Sequence, residues 1–336
     1  MNESDFVQQQ NTVCDFSSSD SWVILSPIEQ SIKRKIEAVG TPLKDWDINI
    51  YRGVLTGYND AFIISSEKRD EILANCQTDE ERQKTAELIR PILRGRDIKR
   101  YGYDWAKLYL IATFPARKYN IDNYPAVKKY LLSFAYDYLI ENGNKEIAVS
   151  YLSDFCKQKL AQTGQYILIN GKYVLDAKGN KEKSRKKTSN KWFETQDSIS
   201  YWEDFSKPKI IYPNMTKYMP FVYDDNNYLT NQKCFIITGK NVAYLTAFFN
   251  SSLFKYCFRD SFPELQGGTR ELSKIFFDKI PVCKISENQN RLFLELVEDI
   301  QYEYTKQKAL QIDTMFFDLY ALSTEEKKVI GFVEIT

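Results

Sequence analysis

Two strand-like segments and a longer apolar segment follow one another at residues 208–258, which read PKIIYPNMTKYMPFVYDDNNYLTNQKCFIITGKNVAYLTAFFNSSLFKYCF. The apolar runs PKIIYP (208–213) and KCFIITG (233–239) are short and rich in isoleucine, which predicts two strands. The run VAYLTAFFNSSLFKYCF (242–258) is too long for one strand and predicts a helix. This stretch therefore combines strands with a helix.

A well-delimited helix is predicted upstream of these strands. Ser26 suits the N-cap, Pro27 suits the first helical position, and Glu29 completes a capping box. One apolar stripe follows at helical spacing, formed by Ile28, Ile32, Ile36 and Val39. We expect Gly40 to end this helix in the left-handed conformation that favours glycine.

Further elements lie on both sides of these segments. The patterns predict a strand–turn–strand unit (46–65), a helix opened by a capping box at 78–81, a strand (108–114), a helix (124–143), an Asn-Gly hairpin (166–175), an irregular stretch (259–271) and a helical tail from residue 286. Strands and helices do not alternate regularly. We therefore expect an α+β fold with an irregular mixed β-sheet, flanking helices and a C-terminal helical segment.

Composition excludes several kinds of site. The 336 residues include no histidine, so neither a Ser-His nor a Cys-His catalytic pair can form within the chain. The six cysteines lack the paired spacing of structural zinc ligands, so no metal site is expected. Neither a signal peptide nor an apolar run of membrane-spanning length is found, and we expect a cytoplasmic protein with no membrane contact.

The motifs of nucleotide and methyl-donor chemistry are absent from the sequence. It contains no G-x-G-x-x-G, no Walker A lysine loop and no Pro-Pro pair, which DNA amino-methyltransferases use to hold a base. Asp154 and the triplet Asp176-Ala177-Lys178 resemble a magnesium nuclease site, but one acid-x-base triplet is common in a chain with 45 acids and 46 bases. Catalysis by this chain is therefore not predicted.

A basic loop gives the clearest local signal for a polyanion. Six cations fall within residues 181–191 and precede Trp192 and Phe193; they are Lys181, Lys183, Arg185, Lys186, Lys187 and Lys191. Cations beside aromatic rings suit a nucleic acid with stacked bases. Because the net charge is only +1, any such surface must be a local patch. The alternative is an ordinary solvated loop.

A second basic cluster occupies IRPILRGRDIKRY (89–101) and contains Arg90, Arg94, Arg96, Lys99 and Arg100. Arginine suits bidentate contact with guanine or phosphate. The alternative is a structural turn in which an arginine pairs with Asp97.

Five stretches in the same order resemble the TaqI-like C-terminal specificity domain, the target-recognition part of type IIG restriction-modification enzymes and related adenine methyltransferases. They are residues 19–64, IRPILRGRDIKRY (89–101), NKWFETQDSISYWEDFSKPKIIYPNM (190–215), FFNSSLFKYCFRD with GGTRELSKIFFDKIPV (248–282), and QIDTMFFDLYALSTEEKKVIGFVE (311–334). The last stretch also resembles type I specificity subunits. The resemblance covers residues 20–336.

The resemblance implies sequence-specific recognition of double-stranded DNA and presentation of an adenine for N6 methylation. It implies a lead-in and connecting helix (1–40), a target-recognition domain (41–285) and a C-terminal helical segment (286–336). It also implies a methyltransferase domain or subunit as partner. No cofactor is expected in this chain. The full enzyme is expected to be a site-specific adenine methyltransferase or type II restriction endonuclease, and its other domains are expected to bind AdoMet and Mg²⁺.

The resemblance suggests roles for residues in four regions. We expect Arg185, Lys186, Lys187 and Lys191 at the DNA backbone, Asn190 and Gln196 as base readers, and Arg94, Arg96 and Arg100 as secondary contacts. Gln266, Thr269 and Arg270 lie in a Gly-rich loop that is expected to approach the groove, and Tyr58 and Asn59, at the TGYN turn, are expected to face the DNA or the methyltransferase domain. For the last five, the alternative is a purely local turn role.

Two other functions remain open at this point. One is a magnesium-dependent nuclease fragment that uses Asp154 and Asp176. The other is a helical scaffold or specificity subunit that acts in trans through its tail helices.

Overall fold

The computed structural model describes residues 25–132, 134, 168–169, 173–174 and 189–334. Its helices are α1 (Pro27–Val39), α2 (Asn59–Phe62), α3 (Ser66–Ala74), α4 (Asp79–Leu88), α5 (Pro125–Leu132), α6 (Val242–Asn250), α7 (Ser252–Phe258), α8 (Lys274–Phe277), α9 (Glu287–Tyr302), α10 (Lys306–Leu319) and α11 (Thr324–Ile330).

Its strands are mostly short and belong to several small sheets. They are β1 (Gly40–Pro42), β2 (Ile48–Arg52), β3 (Ile63–Ser65), β4 (Ile89–Leu93), β5 (Ile98–Lys99), β6 (Gly102–Tyr103), β7 (Leu108–Ile111), β8 (Leu168–Ile169), β9 (Tyr173–Val174), β10 (Lys209–Pro213), β11 (Met215–Thr216), β12 (Val222–Asp224), β13 (Leu229–Thr230), β14 (Cys234–Gly239), β15 (Glu264–Leu265), β16 (Thr269–Glu271) and β17 (Pro281–Cys283). Helices and small sheets together confirm the predicted α+β class.

A four-stranded antiparallel sheet with the order β12-β10-β14-β2 separates two hydrophobic clusters. Successive side chains of a strand point to opposite faces. Ile210 and Tyr212 of β10 therefore join one cluster, and Ile211 between them joins the other. Because both faces are covered, the two predicted strands are almost continuously apolar. The predictions at 208–213 and 233–239 are confirmed.

The first cluster lies between the central sheet and a layer of helices. All nine residues of α6 are buried, and α9, α10, α11 and α1 contribute to the same cluster. The helix predicted over 242–258 is divided at Ser251, which adopts an extended conformation and accepts a hydrogen bond from the Phe254 amide at 3.1 Å. Ser251 thereby acts as the N-cap of α7, and a new helix direction starts there.

The second cluster lies on the other face of the central sheet. It includes side chains of a smaller mixed sheet, β13-β4-β7-β3, and of α3, α4 and α5. β13 pairs with β4 in parallel, and the other pairs are antiparallel. The predicted helix that opens near Thr78 ends at Leu88, because Pro91 follows in β4.

Three local predictions differ from the structure. The unit predicted as strand–turn–strand at 46–65 contains the helical turn α2 before β3. The stretch 259–271, predicted to be irregular, contains the β15–β16 hairpin. Gly40 is extended, with φ −77°, and a Cβ there would lie 2.6 Å from Pro281 Cβ. The glycine is therefore required by the close approach of β17 and not by a left-handed conformation.

A fully buried ion pair joins the two strands at one side of the central sheet. Lys209 of β10 contacts Asp224 of β12, and the solvent exposure of both side chains is zero. The Lys209 ammonium also donates to the Phe205 carbonyl at 2.8 Å, while Asp224 accepts from the amides of Asn226 and Tyr228. Buried charges are tolerated only when paired and hydrogen-bonded in this way.

The first and last described helices are tied together by polar contacts. Glu326 of α11 accepts from Lys35 and Ser31 of α1, each at 2.7 Å. The capping box predicted at Ser26 is confirmed, and α11 opens with another capping box, at Ser323. The division into segments 1–40, 41–285 and 286–336 stays a prediction. Within the described part of the chain, none of the helices combines the length and the apolar character needed to cross a bilayer.

Glu326 predicts a measurable acid dependence of stability. Burial by itself would raise the pKa of Glu326, but the hydrogen bonds from Lys35, Ser31 and the Ser323 amide, with the charge of Lys35, lower it from 4.5 to about 2. The folded protein therefore favours the charged carboxylate more than the unfolded chain does. This contribution is complete above pH 4.5 and is lost as the pH falls through about 2.

We expect Glu326→Gln to lower the free energy of unfolding most at neutral pH, with a difference from wild type that shrinks towards acid. Urea unfolding at pH 7, 5 and 3 measures this difference. Glu325→Gln, at an exposed neighbouring position, is the control. A difference that stays constant over this pH range would contradict the assignment.

Candidate nucleic-acid interface

The turn at residues 56–59 and the segment 190–196 form one surface, which we call the turn patch. The amide of Gln196 donates to the Thr56 carbonyl at 3.1 Å, and the amide of Asp197 donates to the Leu55 carbonyl at 3.1 Å. Gly57 has φ +76°, and a Cβ there would lie 3.0 Å from the Gln196 side chain. Four predicted site residues from distant parts of the sequence are thus brought together: Tyr58, Asn59, Asn190 and Gln196.

Hydrogen bonds within the turn patch hold some of these side chains in defined orientations. The Asn190 amide nitrogen donates to the Thr195 and Gln196 carbonyls, both at 2.8 Å. The Asn59 side-chain oxygen accepts from the Thr56 hydroxyl at 2.7 Å. Asn190 and Asn59 therefore shape the patch, whereas the side chain of Gln196 is exposed on it. Lys191 is exposed beside it, with its ammonium 5.7 Å from the Phe193 ring.

The rest of the basic loop lies outside the described residues. This applies to Arg185, Lys186 and Lys187, and also to Asp154 and Asp176 of the nuclease alternative.

The predicted Gly-rich loop is the tip of the β15–β16 hairpin. Gly267 and Gly268 have φ of +78° and +77°, a conformation that side chains other than glycine rarely adopt. Gln266 is exposed at this tip and Thr269 is half-buried.

Arg270 lies at the base of the same hairpin and is buried. Its guanidinium donates to the Phe262 carbonyl at 3.0 Å and pairs with Asp260 and Glu264, each at 2.8 Å. Arg270 therefore stabilises the base of the hairpin, whereas the sequence predicted that it contacts DNA.

A cleft of about 720 Å³, which we call the basic cleft, opens beside this hairpin. Its described lining residues include cations and tyrosines but no Asp or Glu; they are Gly95, Arg96, Ile98, Lys99, Arg100, Pro213, Met215, Thr216, Tyr218, Pro220, Lys233 and Tyr304. Arg96, Lys99 and Lys233 are exposed at the cleft. β11 at its wall pairs with β16, so the cleft adjoins the Gly-rich hairpin.

The three arginines expected as secondary contacts have three different environments. Arg94 makes a bidentate pair with the buried carboxylate of Asp97, at 3.0 and 2.8 Å, as the structural alternative predicted. Arg100 is buried and donates to the carbonyls of Asn250 and Val333, at 2.7 and 3.1 Å. Only Arg96 of the three is exposed. We therefore leave Arg94 and Arg100 out of the proposed interface as direct contacts.

The side chains of the basic cleft suit binding of an anion. Within the described residues, no group of three or more His, Cys, Asp or Glu side chains is arranged to hold a metal ion. The basic cleft combines exposed cations with two partly exposed rings, Tyr218 (48% exposed) and Tyr304 (44%), which suits an anionic and partly aromatic polymer.

Sequence reasoning missed Lys233, Tyr218 and Tyr304 of the basic cleft. Lys217 and Tyr218 are adjacent in the sequence, a cation beside a ring, and this was the one available signal. Lys233 and Tyr304 come from other regions and carry no local signal.

Comparisons with known proteins give one family and solved structures of low similarity, which include the two that follow. The model of the TaqI-like C-terminal specificity domain matches residues 90–282. No curated protein matches the sequence. The type IIG restriction endonuclease BpuSI is similar with 12% identity and a TM-score of 0.47, over 88% of this chain and 34% of that chain. The type IIL restriction-modification enzyme MmeI, in complex with DNA, is similar with 9% identity and a TM-score of 0.46, over 86% of this chain and 35% of that chain. The chain thus spans about one third of the length of each.

Two neighbouring arginines are expected to differ in their effect on stability. Arg94→Ala removes the guanidinium partner of the buried Asp97 carboxylate and should lower the free energy of unfolding by about 1–3 kcal/mol. Arg96→Ala changes an exposed side chain and should stay within about 0.5 kcal/mol of wild type. Denaturation midpoints in urea measure both. Equal losses in the two variants would refute these structural assignments.

Proposed function

The chain belongs to the family of TaqI-like C-terminal specificity domains, and from this we propose that it recognises a short sequence in double-stranded DNA for a restriction-modification enzyme. The observation that carries the proposal is the basic cleft, in which exposed cations and tyrosines occur and none of the described lining residues is acidic. In a chain with a net charge of +1, such a local excess of cations needs a polyanion to explain it.

Contacts with the DNA backbone are proposed for the basic cleft and the basic loop. Arg96, Lys99 and Lys233 of the cleft are exposed cations, and Lys99 has only a loose surface pair with Asp104, at 3.6 Å. Phosphates readily replace such a solvent-exposed partner. The basic loop would make a second set of contacts with the DNA backbone, through Arg185, Lys186, Lys187 and Lys191.

Base reading is proposed for the turn patch and the tip of the Gly-rich hairpin. Gln196 and Gln266 are exposed amides on turns, and an amide side chain can pair with adenine through two hydrogen bonds in the major groove. Thr269 would add a contact from the hairpin. Asn59, Asn190 and Tyr58 would act by fixing the shape of the turn patch on which Gln196 lies.

The finer proposal is that recognition presents an adenine for N6 methylation. A base inside a duplex is out of reach of an enzyme and has to be extruded. The sequence has no motif for AdoMet binding, so we propose a methyltransferase domain or subunit as the partner that binds AdoMet and carries out the transfer, in the cytoplasm. Mg²⁺ would be needed only by a nuclease domain of the same enzyme.

Salt titration of DNA binding tests the basic cleft. Each phosphate contact releases counterions, so Arg96→Gln, Lys99→Gln and Lys233→Gln should each reduce the slope of log affinity against log salt by about one unit. Each should also weaken binding to all duplexes alike, by roughly 1 kcal/mol. Fluorescence anisotropy with a mixed-sequence duplex measures both quantities.

Lys328→Gln is the matched control, since Lys328 is exposed on α11 outside the cleft lining and its replacement removes the same charge.

Replacing Arg185, Lys186 and Lys187 by Ala tests the basic loop in the same assay. An unchanged slope in all three cleft variants would remove the cleft from the proposal. If the chain binds no duplex at low salt, the result favours the alternative function as a helical scaffold.

Gln196→Ala should change specificity without changing the salt slope. Loss of a bidentate base contact costs about 1–3 kcal/mol on the recognised sequence and nothing on other duplexes. The sequence is first selected from a randomised duplex pool, and affinities for the selected and a scrambled duplex are then compared. Ser198→Ala, at an exposed neighbouring position, is the control. Equal affinity losses on both duplexes would show that Gln196 reads no base.

A further inference from the structure

A second cleft, of about 570 Å³, lies beside β4 and shares no lining residue with the basic cleft. We call it the arginine–aromatic cleft. Its main side chains are Arg69, Arg90, Arg117, Tyr109, Tyr119 and Trp202. Its volume falls in the range of small-molecule sites, roughly 300–1,000 Å³. Neither the predicted site residues nor the proposed function accounts for it.

Two guanidinium groups share this cleft without a carboxylate partner among the described residues. Arg90 donates to the Asn227 carbonyl at 2.7 Å and to the Ser206 hydroxyl at 3.4 Å, and Arg117 packs on rings. Burial is the main cause that lowers the pKa of Arg90; the charges of Tyr119 and Asp224 act in the opposite direction, and the nearby charge of Arg117 contributes a smaller lowering. Two like charges in one partly buried cleft repel each other, so an anion bound in this cleft would be favourable.

The same cleft offers planar surfaces for an aromatic ligand. The guanidinium of Arg117 lies 3.8 Å from the centre of the Trp202 ring and 5.4 Å from that of Tyr119. A guanidinium plane stacked on one face can take a nucleobase on the other. On a second wall, Arg69 lies 4.8 Å from the centre of the Tyr109 ring.

Arg69 adds an unmatched hydrogen-bond donor. Its Nε is buried and has no hydrogen-bond partner among the described residues, although its outer nitrogen pairs with Asp70 at 3.3 Å. A buried donor without a partner is costly and indicates a place that a ligand acceptor can fill. Glu87 is the one acidic residue among the described lining residues, so the cleft as a whole is strongly basic.

We propose that the arginine–aromatic cleft binds a nucleotide, with the phosphate at Arg90 and Arg69 and the base stacked on the Arg117–Trp202 pair. The nucleotide is either free or part of an unpaired DNA strand, since both present the same phosphate and base. The inference does not rest on the proposed duplex recognition, because the lining residues of the two clefts are different.

Titration calorimetry of the full chain with dAMP, inorganic phosphate and deoxyadenosine tests the proposal. We expect dAMP to bind more tightly than either part alone. Arg117→Gln removes the guanidinium plane on which the base stacks and should weaken dAMP binding by about tenfold, the lower part of the range for one stacked base. Lys118→Gln removes a neighbouring exposed charge that does not line the cleft and should change the affinity less than twofold, about the scatter of a neutral surface change.

Trp202→Leu separates the stacking contact from the phosphate contact. It should weaken dAMP binding while leaving phosphate binding unchanged, and thermal unfolding checks that the variant is folded. The proposal is overturned if dAMP does not bind, if phosphate binds as tightly as dAMP, or if Arg117→Gln and Lys118→Gln behave alike.

A short single-stranded oligonucleotide identifies the source of the nucleotide. The cleft is assigned to an unpaired strand if the oligonucleotide binds more tightly than dAMP and if Arg117→Gln weakens its binding. Tighter binding of dAMP assigns it to a free nucleotide. Both outcomes support a nucleotide site, whereas binding of the oligonucleotide that is insensitive to Arg117→Gln excludes the unpaired strand.

Discussion

The buried contact between Lys209 and Asp224 is the constraint on which both halves of the structure depend. Each charge is completely removed from water, so each is tolerated only while the other is in place. The pair fixes β10 against β12, and β10 contributes alternate side chains to both hydrophobic clusters. The position of one strand therefore sets the packing of the helical layer and of the smaller mixed sheet together.

The positions of β4, β10 and β14 determine the geometry of the basic cleft. Pro213 ends β10, Lys233 immediately precedes β14, and Arg96 lies in the turn after β4. Pro213 is buried, whereas Arg96 and Lys233 lie at the edges of packed elements, where the backbone is fixed but the side chain reaches solvent. Cations on rigid supports lose less freedom on binding than cations on a loose segment, and this favours a defined register on DNA.

Much of the fold could be predicted from the sequence because its signals are local. The caps at Ser26 and Ser323 and the apolar runs of β10 and β14 depend on residues within a few positions of one another. At the break between α6 and α7 the Ser252 amide donates to the distant Asp313, and the extended Gly40 lies against the distant Pro281. No pattern within a short window contains that information.

The candidate site was less predictable for the same reason. Arg94, Arg96 and Arg100 lie within seven residues and are alike in sequence context, yet one pairs with Asp97, one is exposed and one is buried. Which arginine reaches solvent is decided by where the neighbouring elements pack. The turn patch joins residues more than 130 positions apart through main-chain hydrogen bonds, which leave no trace in side-chain identity.

Arg100 has a further consequence for how this protein can be rearranged. Its guanidinium joins the carbonyl of Asn250 to that of Val333, and it also meets the Tyr304 hydroxyl at 3.3 Å. A chimera that exchanges residues 41–285 and keeps a foreign tail would depend on that tail for two of these three acceptors, at positions 304 and 333. A segment that is exchanged between proteins of this fold should therefore include its own terminal helices. Natural recombination is expected to join such segments at positions other than residue 285.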